Sequence, residues 1–88
     1  MSRQRSMEVI QQSEYVTIGE LVRLTDMRYS TLKFYTEEGM ISFEQAEHNL
    51  TRRYRREESL ERIYYIKSLR EQGKTIPEIK EILKNNYK

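Results

Sequence analysis

The sequence predicts a mainly α-helical domain, four core helices with a small two-stranded β hairpin between the second and the third. Three observations predict it. Helix-capping residues stand ahead of apolar residues at helical spacing in several windows. The first two of those windows are parted by a break of only a few residues. Between the second and third lie a short apolar stretch, a polar loop and an arginine-rich stretch of alternating character. The size agrees, because 88 residues hold one domain with one modest core. With 36% hydrophobic and 34% charged residues, a few short helices fit better than a large sandwich or barrel.

Residues 1–14 are polar and form a tail or a short accessory helix, with Met7, Val9 and Ile10 as its apolar side. The domain proper spans 15–88. Its first firm helix begins at Thr17, whose hydroxyl caps the amide of Glu20 while Glu20 reaches back, and Val16 staples against Leu21. Ile18, Leu21, Val22 and Leu24 supply the apolar side to about Thr25, and Asp26-Met27 break the helix. The second helix runs from about Arg28 to Glu38, with Gly39 where a left-handed cap belongs. Its apolar residues are Leu32 and one of Phe34 or Tyr35, too few for packing on several sides.

Met40 to Phe43 has strand character, Glu44 to Asn49 is polar, and Arg52 to Arg56 alternates around Tyr54. The third helix covers Glu57 to Gln72 and stops at Gly73; its apolar residues are Leu60, Ile63, Tyr64, Ile66 and Leu69. Thr75 caps the fourth, with Pro77 in its first turn and Glu78 completing a second capping box. Leu21, Leu24, Leu32, Ile41, Leu60, Ile63, Leu69, Ile79 and Ile82 are read as core.

Two short helices with a tight break form a helix-turn-helix, whose second helix enters the major groove of DNA. The hairpin is then its wing, and the whole a winged helix-turn-helix. Charge supports that reading. The net charge is only +2, but Arg52, Arg53, Arg55 and Arg56 stand together with no acidic residue in 48–56. Such a patch suits a phosphate backbone, where neutralisation releases counterions. On the second helix Arg28, Tyr29, Ser30, Thr31 and Lys33 face outward. Arg28 is the best base reader, since a guanidinium bonds guanine at two points. Tyr54 packs beneath the wing, touches DNA, or does both.

Four blocks resemble the DNA-binding domain of MerR-family transcription regulators. Tyr15-Val16-Thr17-Ile18-Gly19-Glu20-Leu21 is similar to that family's opening Y-[TS]-I-G-E-[LV]. Thr31-Leu32-Lys33-Phe34-Tyr35-x-x-x-Gly39-Met40-Ile41 is similar to its T-L-R-Y-Y-x-x-x-G-L-[LI], and Arg52-Arg53-Tyr54 to its R-R-Y wing. Gly73-x-x-Ile76-x-Glu78-Ile79-Lys80 is similar to its G-[FM]-[ST]-L-x-E-I-K. Lys33 replaces the arginine of the second block, Phe34 its first tyrosine, and Arg28 stands where a serine cap is usual.

The resemblance implies transcription regulation by sequence-specific binding to double-stranded DNA, with Tyr35 on a phosphate. The candidate contacts are therefore Thr17, the outward residues of the second helix, Tyr35, and the wing residues Arg52, Arg53, Tyr54, Arg55 and Arg56. It also implies a homodimer formed or strengthened on DNA, and RNA polymerase as a partner. Family members usually continue into a long dimerising helix and an effector-binding domain. Because this chain stops at Lys88, the expectation is a regulator without an effector domain. The alternatives are an excisionase-like or architectural DNA-binding factor and, in another class, a protein-interaction module.

Enzyme chemistry finds no support in the residues. There is no cysteine, no glycine-rich phosphate loop, and one histidine, His48, in a predicted loop. Glu37, Glu38, Glu44 and Glu47 have no base, nucleophile or metal ligand beside them in the pattern. No catalytic residue, cofactor or metal is expected, and no stretch is long enough for a membrane span. The expected location is the bacterial cytoplasm, in association with the nucleoid.

Overall fold

A computed structural model describes residues 4–47 and 50–86. His48 lies outside the described residues. The elements in order are α1 (Met7–Gln12), β1 (Tyr15–Val16), α2 (Ile18–Thr25), α3 (Tyr29–Glu37), β2 (Tyr54–Arg55), α4 (Arg56–Glu71) and α5 (Ile76–Asn86). The molecule is mostly helical with one small antiparallel sheet, a winged helix-turn-helix.

Local chemistry accounts for most boundaries. Ser6 caps α1 by accepting the Val9 amide at 3.2 Å. At α2 the capping box is complete: the Thr17 amide donates to Glu20 Oε1 at 2.9 Å, and the Glu20 amide donates to Thr17 Oγ1 at 3.2 Å. Asp26 ends α2 in the left-handed region at φ 59°, which its short polar side chain tolerates. Gly39, at φ 74°, ends α3 in a Schellman turn: its amide donates to the Thr36 carbonyl and the Met40 amide to that of Tyr35. A second capping box starts α5, where the Thr75 amide donates to Glu78 Oε1 at 2.8 Å.

That Schellman turn also explains a difference from the expected strand at Met40 to Phe43. The amides of Met40 and Ile41 both donate to the Tyr35 carbonyl, and the two side chains enter the core, at 1% and 3% exposure. Neither amide is left for a sheet. Wing pairing starts one step later, at a single bridge between Glu44 and Arg53 with amide-to-carbonyl bonds of 2.7 and 2.8 Å. The basic stretch then pairs with β1, in the register Tyr15 to Arg55 and Val16 to Tyr54.

One core joins the elements. Leu21, Leu32, Tyr54, Ile63, Ile66 and Ile79 are fully buried in it, with Ile10 from α1. Leu24, Leu60 and Ile82 are half-buried against it. Polar ties cross the same junctions. The Arg5 guanidinium donates to both Glu20 oxygens at 2.8 and 2.7 Å, to Ser13 Oγ at 3.0 Å and to the Tyr15 carbonyl at 3.1 Å. Arg23 in turn donates to the Arg5 carbonyl at 2.6 Å. Arg62 of α4 donates to the Met40 carbonyl at 2.9 Å, and Lys80 of α5 pairs with Glu38 at 2.9 Å. No helix of the described residues is long and apolar enough to cross a membrane.

Candidate nucleic-acid interface

The break Asp26–Arg28 lets α3 turn against α2, and Leu32, Tyr35 and Thr36 anchor α3 to the core. Its other side is free. Arg28, Tyr29, Ser30 and Lys33 are exposed, and their side chains make no hydrogen bond or ion pair with any described residue. Arg28 occupies the N-cap position without a side-chain cap bond, so its guanidinium is available at the helix start. No acidic residue stands in the first turn of α3. Thr31 is half-buried at the edge of this face.

The wing lies beside that face. Tyr29 and Lys33 of α3 and Thr51 and Arg52 of the wing line one shallow groove of about 380 Å³. The bridge at Glu44 and Arg53 brings the wing back toward the helix, and the β1 pairing holds its root.

The arginines, adjacent in sequence, have different surroundings. Arg52 donates to Glu37 at 3.0 Å and lies over the Phe43 ring, 4.5 Å from its centroid; the Glu37 bond, first of all, raises its pKa. Arg55 approaches Glu44 at 3.7 Å and Glu14 at 4.0 Å. Tyr15 and then these carboxylates raise its pKa. Arg56 is not a wing residue. It is the first residue of α4, donates from Nε to the Ser13 carbonyl at 2.7 Å, and approaches Glu57 at 3.7 Å. Of the four, Arg53 alone has no carboxylate within 4.0 Å among the described residues, and it stacks on the Tyr15 ring at 4.6 Å. Exposed ion pairs of this kind are screened by solvent and hold weakly, so a phosphate can compete for these guanidiniums.

Three of the candidate contacts are engaged inside the protein. Tyr54 is fully buried, and its hydroxyl is 3.0 Å from Thr36 Oγ1, which itself donates to the Leu32 carbonyl at 2.9 Å. It packs beneath the wing. Tyr35 is 2% exposed and belongs to the core, while its neighbour Phe34 points outward at 41% exposure. Thr17 is half-buried and its hydroxyl accepts the Glu20 amide, so it serves the start of α2.

Sequence reasoning missed Tyr15. Its ring lies under both Arg53 and Arg55, with the second at 5.8 Å, and its hydroxyl donates to Glu44 at 3.3 Å. The signal was there in part: two arginines two residues apart on a strand share a face and require something to cover on it.

No curated protein and no solved structure matches the chain. The family model described as MerR HTH family regulatory protein matches residues 16–86, which takes in α2, α3, the wing and both final helices. By that match the chain belongs to the MerR HTH family, a family of DNA-binding transcription regulators.

Proposed function

We propose that this chain binds duplex DNA in a sequence-specific manner, with α3 in the major groove and the wing on the flanking backbone. The observation that carries the reading is the common groove of α3 and the wing, beside an α3 face whose polar side chains have no partner of their own. Polar groups without internal partners are free to meet base edges, and guanidiniums beside them are placed for phosphates. In this reading Arg28 contacts a guanine, Tyr29, Ser30 and Lys33 meet base edges or nearby backbone, and Arg53 leads the phosphate contacts. Arg52 and Arg55 join by exchanging a carboxylate for a phosphate.

Selection of bound duplexes from a random pool tests it, followed by titration of the enriched duplex against a scrambled one over a range of salt. A preference on the order of 10³-fold or more is expected, with affinity falling linearly in log salt. Equal affinity for all duplexes would overturn the sequence-specific reading.

A further inference from the structure

Phe34 stands apart from the rest of the α3 surface. At about 100° per residue, the side of α3 carrying Leu32, Tyr35 and Thr36 faces the core, and Ser30 and Phe34, one turn apart, lie on the opposite side. Tyr29 and Lys33 run along the flank nearest the wing, and Glu37, which lines the same groove, lies between that flank and Ser30. Phe34 is 41% exposed, and its ring lies beside Tyr35 at the edge of the core, with centroids 6.3 Å apart.

We infer that Phe34 reads DNA sequence by packing against the C5-methyl group of a thymine. This rests on the reading of α3 as the recognition helix. When a helix enters a major groove, the side opposite its core contacts goes deepest, while its flanks pass near the phosphates. The groove floor presents hydrogen-bond donors and acceptors at every base pair, and its one apolar feature is the thymine methyl. A phenyl ring cannot satisfy a donor or an acceptor, nor bond a phosphate oxygen. On that floor it loses free energy over a polar edge and gains it over a methyl group. Ser30, one turn earlier, offers a hydroxyl to the neighbouring base, so the pair reads one polar and one apolar edge in succession.

Deoxyuridine, which is thymine without the methyl, isolates the contact. Each thymine of the selected duplex is replaced singly, and binding of the 88-residue protein is compared with Phe34→Ala and Phe34→Leu. At one thymine the unsubstituted protein is expected to lose about fourfold in affinity, the worth of one buried methyl. Phe34→Ala should bind the thymine and deoxyuridine duplexes alike, and Phe34→Leu should retain part of the difference. Phe34 lies outside the buried core, so both variants should give the helical spectrum of the parent. Three results would overturn the inference: no thymine with a methyl effect, the full effect surviving in Phe34→Ala, or selected sites without thymine. Each leaves sequence-specific binding by α3 intact. Loss of all sequence preference in the parent protein would instead overturn the recognition helix itself, and Phe34 with it.

Discussion

Arg52 and Arg53 are neighbours in sequence, yet one is held by a carboxylate and an aromatic ring while the other rests on a ring alone. Removing Arg53 should therefore weaken binding to every duplex by a similar factor. The slope of log affinity against log salt should become shallower by about 0.9, the share of one phosphate contact. An unchanged slope would show that Arg53 does not meet DNA. Arg28→Ala should behave differently. If the guanidinium bonds a guanine, the loss is about 1–3 kcal/mol at one base pair and little elsewhere, which a base-by-base competition measures. An equal loss at all sequences would assign Arg28 to the backbone. At this scale the sequence was legible for charge and less so for orientation. Phe34 and Tyr35 are both aromatic and adjacent, and only the packing of Leu32 and Thr36 decides which of them turns inward. Tyr54 could be placed under the wing or on its surface until its hydroxyl found Thr36.

Helix starts were the most readable elements, because a capping box is complete within four residues and both of them form as the pattern dictates. The sheet was the least readable. Its strands are two residues each, and the partner of the basic stretch lies before α2, beyond the reach of any local pattern. Glu20 shows what a capping box gains from its surroundings. The hydrogen bond from Arg5, first of all, lowers its pKa below the usual carboxylate value, and the Thr17 amide adds to this against the cost of burial. A depressed pKa means stability that is present above about pH 4.5 and lost as pH falls through the folded value. Glu20→Gln keeps an acceptor for the Thr17 amide and removes the charge. Its midpoint of thermal unfolding should lie below that of the parent near neutrality, and the two should converge as the solution is acidified past that range. The fall that remains in the variant includes Glu78, whose pKa is also lowered, foremost by the Thr75 amide. Parallel curves for parent and variant would refute the role of the Arg5 pair.

The whole molecule measures 40 × 27 × 22 Å, so its long axis slightly exceeds one turn of duplex, about 34–36 Å. Two copies on half-sites one turn apart would lie close enough to touch if that axis runs along the duplex. Free in solution they have little to hold them through α1. Ile10 is committed to the core, leaving Met7 and Val9, already half covered, at 36% and 48% exposure. Burying what remains exposed of both would contribute roughly 1–3 kcal/mol, against association costs of about 4 kcal/mol or more. Sedimentation of the 88-residue chain at sub-micromolar concentration should show a monomer, and paired half-sites should bind cooperatively. Cooperativity should vanish when about half a turn is inserted between them. A stable dimer without DNA would disprove this. The pairing of Val16 with Tyr54 has a consequence for how the molecule comes to be. It closes a loop that contains α2, α3 and the wing, so the chain must surrender the freedom of residues 17–53 before the seam returns any contact energy. Helices this short form and melt within about a microsecond, while contacts so distant in sequence govern the folding rate. The groove between α3 and the wing is thus expected to form late in folding, when the strand beyond it reaches the strand that precedes it.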